Sequence, residues 1–447
     1  MIHANFFLLL WRINAIKDVA TMKIRLFKPH NLSAEVHLPA SKSISNRALL
    51  LAALSKTPLS ALTNISDCDD TRAMLTALGS ESEIVDVGAA GTAMRFLTAY
   101  FCLSDRPHVL TGSPRMLERP IGVLVEALRS MGADISYEGA AGFPPLRIAP
   151  SHLHGGRLEL RGDVSSQYVS ALLMIAPMLA DGLTLHLTGD IASKPYIEMT
   201  MAMMRSFGAE VNWQDERTIC VAPKCYHKAD YMIESDWSAA SYWYSIVALS
   251  DNEHETATLK GLFDESLQGD SGLRALFSQI GVQSMALSQG SSEPRQNLIR
   301  RGATISRLDV DFARMPDLVQ TFVVACALKD IPFRFTGVRS LRIKETDRIA
   351  ALQAELDKLG ISLANDGDDI LYWQGSKQQT AASVPYLQPA ADAVINTYAD
   401  HRMAMAFAPA AMVLGSVEIN DPDVVSKSYP LFWEDLKSAG FEVERSE

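Results

Sequence analysis

A chain of 447 residues with 48 % apolar and 21 % charged residues has the composition of a well-cored globular protein, not of a disordered or fibrous one. Its net charge of −11 argues against bulk nucleic-acid binding, so any anion site must be a local cluster of cations. The five cysteines are odd in number and lack CxxC pairs, and no HExxH occurs, which fits a reducing compartment and gives no metal signature.

The chain opens "MIHANFFLLLWRINAIKDVATM". Its apolar block, Phe6 to Trp11, is too short for a transmembrane helix, and no basic segment precedes it. "MKIRLFKP" from Met22 reads as a strand-forming start. We expect residues 1–21 to be an artefactual or disordered extension, and the protein to be cytoplasmic.

Next comes "LPASKSISNRALLLAALS", Leu38 to Ser55. Ala48 to Ala53 are good helix formers without β-branching, and Ser41 or Ser43 is a natural N-cap. Hydroxyls, free backbone N–H groups, Lys42 and Arg47 thus meet at the positive end of a helix dipole, which suits a phosphate. An ordinary capped helix with two surface cations is the bland alternative.

Five further stretches share the pattern of a polar or Gly opening followed by an Ala-rich apolar helix. They are "GAAGTAMRFLTAYF" near Gly88, "DVSSQYVSALLMIAPML" near Ser165, "SDWSAASYWYSIVAL" near Ser235, "ARMPDLVQTFVVACAL" near Met315 and "ADHRMAMAFAPAAMVLG" near Asp400. Each helix is apolar nearly all round and should be buried. Between them run short strand-like segments and amphipathic helices that end at Gly. In "KETDRIAALQAELDKLGISL", for instance, Ile349, Leu352, Leu356 and Leu359 form one face. The chain therefore reads as six related units, three to a lobe. If the six openings face one cleft, their dipoles and Lys42, Arg47, Arg95 and Arg402 make it positive. Residues 251–306 carry few motifs and read only as a strand–helix–strand scaffold.

The loop "TGSPRMLERPIG" adds Arg115 and Arg119, which suit a phosphate or carboxylate or simply solvent. "SLRIKETDRIAAL" places Lys344 and Arg348 four apart at a helix start, with Glu345 and Asp347 between them, a spacing that also suits plain salt bridges. Asp317 follows a proline at a helix opening, where it can cap or act as a base. Lys427 precedes the last amphipathic helix, an unfavourable place for a cation that hints at function.

Taken together, "LPASKSISNRALLLAAL", "GTAMRFL", "SPRMLERPIG", "GDVSSQYVSALL", "SKPYI", "IKETDRI" and "DHRMAM" resemble the marks of the EPSP synthase family of enolpyruvyl transferases, from Met22 to nearly the C-terminus. The resemblance implies an α/β, two-domain enolpyruvyl transferase fold, each domain three βαβαββ units with buried parallel helices. One domain would comprise residues 22–39 plus 236–447 and the other residues 40–235, with crossovers near Pro39 and Ser235. It implies transfer of the enolpyruvyl group of phosphoenolpyruvate to the 5-hydroxyl of shikimate 3-phosphate, on the route to chorismate and aromatic amino acids. It implies no cofactor, no metal, no nucleic-acid or membrane partner, and a monomer.

By the same resemblance Lys42 contacts both substrates, and Ser43 and Arg47 hold the shikimate carboxylate. Ser165, Ser166 and Ser193 grip its phosphate, Ser340 stands where an asparagine is usual, Tyr196 lines the pocket and Lys344 binds the sugar. Gln167 sits between the substrates. Gly91, Arg115, Arg348, Arg402 and Lys427 hold phosphoenolpyruvate, with His401 near the leaving phosphate. Asp317 takes the proton of the 5-hydroxyl, and Glu345 serves the methylene carbon. Ala40, Ala89, Phe96 and Ala399 depart from the usual glycine, asparagine, proline and asparagine. The sister transferase acting on UDP-N-acetylglucosamine usually carries a cysteine in the loop that here reads "SPRMLERP". A non-catalytic anion binder would need the cations but not Asp317 and Glu345.

Overall fold

The computed structural model describes residues 22–163, 165–286, 295–376, 387 and 393–446. The expected extension, residues 1–21, lies outside the described residues. The six apolar stretches form buried helices: α1 Lys42–Ser55, α2 Gly91–Phe101, α3 Ser166–Ile175, α4 Trp237–Leu249, α5 Val319–Leu328 and α6 His401–Phe407. Every residue of α4, α5 and α6 is buried, as expected of helices without a polar face.

Three units are contiguous in the chain. One runs strand Ile84–Asp86, α2, strand His108–Thr111, helix Gly122–Ser130, then strands Asp134–Tyr137 and Leu146–Ala149. Its first two strands pair parallel and the rest antiparallel, so the sheet closes as βαβαββ. The strands Gly156–Arg161 to Thr218–Val221 around α3, and Leu308–Asp311 to Ile370–Trp373 around α5, repeat the plan. Alternating buried and half-buried positions, as in Leu183–Thr188, lay one face of the sheet on the helices.

The other three units are completed by distant strands. Ser33–His37 pairs parallel with Thr256–Leu262, and Lys23–Phe27 lies antiparallel between Ser416–Asn420 and Glu442–Ser446. Tyr231–Met232 pairs parallel with Leu62–Thr63 in a sheet of two strands. That last unit is cut short because helix Asp69–Leu78 leads directly to Ile84–Asp86, the first strand of the next unit. The motif-poor segment supplies strand Thr256–Leu262, helix Leu273–Gln279 and strands Ile280–Ala286 and Arg295–Thr304.

Two separate apolar cores result. One gathers residues from Ala40 to Ile233, the other Ile24 to Leu38 with Trp237 to Phe441. The chain passes between them twice, side by side. Ser41 N–H donates to Glu234 O at 2.8 Å, and Asp236 N–H to Pro39 O at 2.8 Å. Buried Glu234 anchors the return by accepting from Trp237 Nε1 at 2.7 Å, Phe263 N–H at 2.9 Å, Ser266 Oγ at 2.6 Å and Gln268 Nε2 at 2.9 Å. Among the described residues no helix is long and apolar enough to cross a membrane.

Phe322 of α5 sits between the rings of Phe277 and Phe312, at centroid distances of 4.5 and 5.5 Å. Phe322→Ala is expected to destabilise this lobe by about 3–5 kcal/mol. Trp237, Trp243, Trp373 and Trp433 share the core, so a lowered denaturant midpoint in fluorescence checks it.

Candidate functional site

The six helix openings converge. Asp236, Asp400 and Ser165 cap α4, α6 and α3, accepting from Ser238, Arg402 and Gln167 N–H. Ser41 precedes α1 but makes no side-chain cap bond, and its hydroxyl is buried without a partner. Gln167 Nε2 donates to Thr92 Oγ1 at 3.0 Å and ties α3 to α2. Arg402 Nη2 reaches Ser238 Oγ on α4 at 3.4 Å and Asp317 Oδ2, just ahead of α5, at 3.1 Å.

Arg348 lies at the centre, 1 % exposed. Its guanidinium is bidentate to Asp400, Nε to Oδ2 at 2.7 Å and Nη2 to Oδ1 at 3.2 Å. It also meets Asp317 Oδ1 at 3.3 Å and Glu345 Oε2 at 3.0 Å. Lys344 Nζ lies 3.6 Å from Asp317, and Tyr196 of the other lobe donates to Asp317 Oδ2 at 3.2 Å. Lys427 Nζ donates to Ala89 O at 2.7 Å and stands 3.7 Å from Glu345. Lys42 Nζ is 3.2 Å from Asp70 Oδ2. Lys42, Arg348, Arg402 and Lys427 therefore share one buried junction between the lobes.

One spacing argument needs correction, and three other cations have a more particular setting than the sequence alone shows. Lys344 and Arg348 do not share a helix face, because the helix begins at Arg348 with Asp347 as its cap. They meet at Asp317 instead, with Lys344 in the segment before the helix. Lys427 precedes the last helix, Phe432–Ser438, as its sequence position says, and it ends the turn Pro422–Lys427. Arg47 donates to Thr200 Oγ1 at 2.7 Å, Ser43 O at 2.8 Å and Ser170 Oγ at 3.2 Å, which fixes its guanidinium one turn into α1 and braces that helix opening. Arg95 donates to Gly91 O and Pro120 O at 3.3 and 3.1 Å and braces α2 in the same way.

Arg115 and Arg119 part company. Arg115 is half exposed on the short helix Pro114–Leu117 and pairs with Glu118 at 3.0 Å. Across the lobe boundary it donates to Glu345 O at 3.1 Å and Lys344 O at 3.4 Å. Arg119 packs on Gly91, where a Cβ would come within 2.7 Å of its Nη1. Its Nε is buried without a partner. Both arginines were visible in the loop, but no sequence signal told which one faces Gly91.

On the remaining side Ser165 is exposed and Ser166 and Gln167 half-buried at the α3 opening. Ser193 takes a left-handed backbone, φ 53°, and its N–H donates to Ala313 O of the other lobe at 3.2 Å. Ser340 lies in the turn Arg339–Ile343 that leads into Lys344. Two buried acids escaped the sequence reading. Asp70 in "CDDTR" looks like an ordinary acidic first turn. Asp270 accepts from Ser238 Oγ, with Oδ1 unpartnered.

Burial would raise Asp317, but Arg402, Lys344 and Arg348 outweigh it and hold the carboxyl well below its usual range. Glu345 is likewise held down against burial by Arg348, Lys427 and Arg119. Burial, Lys42 and Arg402 keep His401 neutral, and neither ring nitrogen has a hydrogen-bond partner, Nδ1 lying 3.6 Å from Asp400 Oδ1. Burial lowers Arg47 and Arg95 to about 10. Burial and the neighbouring charge of Asp317 push Asp270 up to about 7.

Paired lobes of repeated βαβαββ sheets, closing a cationic cleft over an acid pair, define a transferase fold built for small polyanions. The profile of EPSP synthase (3-phosphoshikimate 1-carboxyvinyltransferase) matches residues 26–80 and 79–436. A 3-phosphoshikimate 1-carboxyvinyltransferase of Bacteroides fragilis strain YCH46 is 50 % identical over 426 residues, 95 % of this chain and 100 % of the relative. One from Aliivibrio fischeri strain ES114 is 36 % identical over 434 residues, 91 % and 96 % of the two chains. An EPSP synthase structure from Acinetobacter baumannii superposes with a TM-score of 0.73 at 22 % identity, covering 95 % of this chain and 100 % of that one. The chain belongs to the EPSP synthase family.

Arg348→Met leaves three carboxylates without their shared cation and is expected to destabilise the protein by about 3–5 kcal/mol in chemical denaturation. A second expectation concerns pH. The folded pKa of Asp270 exceeds its unfolded value, 3.8, so its contribution is present below that value and is lost as pH rises toward about 7. Asp236 and Glu234, also raised by burial, act in the same sense. Asp270→Asn should therefore flatten the fall in stability between pH 4 and 7, read from denaturant midpoints across that range.

Proposed function

We propose that this cleft transfers the enolpyruvyl group of phosphoenolpyruvate to the 5-hydroxyl of shikimate 3-phosphate. The observation that carries the reading is the pair Asp317 and Glu345, held on one buried guanidinium at 3.3 and 3.0 Å. Asp317, kept ionised by Arg402, Lys344 and Arg348, accepts the proton as the 5-oxygen attacks C2 of phosphoenolpyruvate. Glu345 delivers a proton to C3, giving a tetrahedral adduct, and then removes one from the same carbon as the C2–O bond to phosphate breaks. The products are 5-enolpyruvylshikimate 3-phosphate and phosphate.

Glu345 is ionised in the empty cleft. When phosphoenolpyruvate brings its own negative charges to Arg348 and Lys427, the field that held Glu345 down is cancelled and its pKa rises, so that it can carry the proton it must give. The phosphoenolpyruvate set is Lys42, Gly91, Arg115, Gln167, Arg348, Arg402 and Lys427, to which Arg119 is added from its seat on Gly91. Shikimate 3-phosphate takes Lys42, Ser43, Arg47, Ser165, Ser166, Gln167, Ser193, Tyr196, Asp317, Ser340 and Lys344. Neutral His401 faces the leaving phosphate. The domains are residues 22–39 plus 236–447 and residues 40–235, and the chain works as a cytoplasmic monomer.

Phosphate release that requires both substrates together is the direct test, and release without shikimate 3-phosphate contradicts the reading. Asp317→Ala and Glu345→Ala are each expected to lower kcat by about 10²–10⁴-fold with little change in binding. Lys42→Met should weaken both substrates in titration calorimetry, and an unaffected ligand would count against its shared position.

A further inference from the structure

The geometry points to Asp70 as a positioning residue that holds Lys42 and Lys427, one from each lobe, at the seam of the closed cleft; this rests on the functional reading above. Asp70 is the second residue of helix Asp69–Leu78 and 4 % exposed. Its two oxygens serve different lysines, Oδ2 to Lys42 at 3.2 Å and Oδ1 to Lys427 at 3.8 Å. Asp69 beside it accepts from Ser426 Oγ, the neighbour of Lys427. Two adjacent acids of one lobe thus grip two adjacent residues of the other.

The ammonium of Lys427 carries three protons and faces three acceptors: Ala89 O, Asp70 and Glu345. An arriving phosphate or carboxylate can take the place of Glu345, whose proton chemistry needs it released. Asp70 is the acceptor that stays, because its backbone is fixed at a helix N-terminus whose dipole favours a carboxylate. Without its charge two ammonium groups confront each other across the seam, and the lobes part.

Burial works against the charge of Lys42, yet its pKa lies above the ordinary lysine value, with Asp70 the strongest influence raising it. Cys68, Glu345, Asp236, Arg402, His401 and Lys427 also face this part of the cleft. With Asp70 neutral, Arg402 still opposes the charge, so Lys42 loses its proton at lower pH.

Asp70→Asn keeps the shape and removes the charge. We expect kcat to fall about 10–100-fold, the KM for shikimate 3-phosphate to stay within about threefold, and the alkaline limb of the kcat/KM profile to move down by about one pH unit or more. Asp70→Glu, which restores the charge one methylene further out, should return the limb with only part of kcat. Small-angle scattering of the empty protein reads the seam without turnover, and the Asn variant should show a larger radius of gyration. An Asn variant with the parent's radius, or with kcat and the alkaline limb unmoved, would overturn the assignment. A parent chain that releases no phosphate would overturn the functional reading instead, and the scattering comparison would still judge Asp70.

Discussion

The site depends on one buried guanidinium. Arg348 is 1 % exposed and touches Asp317, Glu345 and Asp400 at once. A lone buried charge is costly, and a buried ion pair is stabilising only when its geometry and remaining hydrogen bonds are satisfied. Here Asp400 supplies the satisfied half: its carboxylate is bidentate to Arg348 and also caps α6 by accepting from Arg402 N–H at 2.9 Å. That leaves Arg348 fixed in direction and its remaining nitrogens turned to Asp317 and Glu345, the two acids proposed to carry the protons. The acids are therefore positioned by a cation already committed elsewhere, and substrate binding does not need to build the arrangement.

The closed cleft also changes what binding means. Its cations are not bare: Lys42 has Asp70, Lys427 has Asp70 and Glu345, and Arg402 has Asp317. On the proposed function, polyanionic substrates exchange partners with these carboxylates and do not neutralise free charge. The gain comes from bidentate geometry and from excluding water, where each interaction is stronger than in bulk solvent. Six buried helices make such a site possible, because their openings, three of them capped by side chains, bring backbone N–H groups and cations to one junction while the apolar bodies stay in two cores.

The fold was legible where local chemistry decides it. Ala-rich apolar runs after polar openings marked all six buried helices, and helix–Gly–strand punctuation marked the units. Long-range pairing was not legible: nothing in "MKIRLF" says that it lies between Ser416–Asn420 and Glu442–Ser446. In the site, Lys42, Asp317, Glu345, Arg402 and Lys427 were readable as chemical types at helix openings. Periodicity misled at Lys344 because the helix starts only at Arg348. Arg95, expected to add its charge to the cleft, spends its donors on Gly91 O and Pro120 O inside its own lobe, while Arg47 is pinned one turn inside α1 by Thr200 and Ser43. Asp70 was hidden because an acidic first turn is what any helix prefers.

The departures from the family pattern find their compensations in the same places. Phe96, standing for a proline, is fully buried with its ring 5.3 Å below the Arg47 guanidinium, a cation–π contact that steadies α1 against α2. Ala89, standing for an asparagine, meets Lys427 through its backbone carbonyl, so losing the amide leaves this lobe contact in place. Ala399, also standing for an asparagine, has φ 54° and follows Tyr398 at φ 56°. Two consecutive left-handed residues with side chains store strain just before Asp400, and they persist only where the surroundings over-determine them. Tyr398 provides that restraint: its hydroxyl donates to buried Glu355 at 2.6 Å, and Glu355 also accepts from Asn396 N–H at 2.9 Å and Lys358 at 2.6 Å. The turn that aims Asp400 at Arg348 is thus held by a polar anchor on the helix that Arg348 begins. Arg348 and the carboxylate that orients it are thus set by one short circuit of chain.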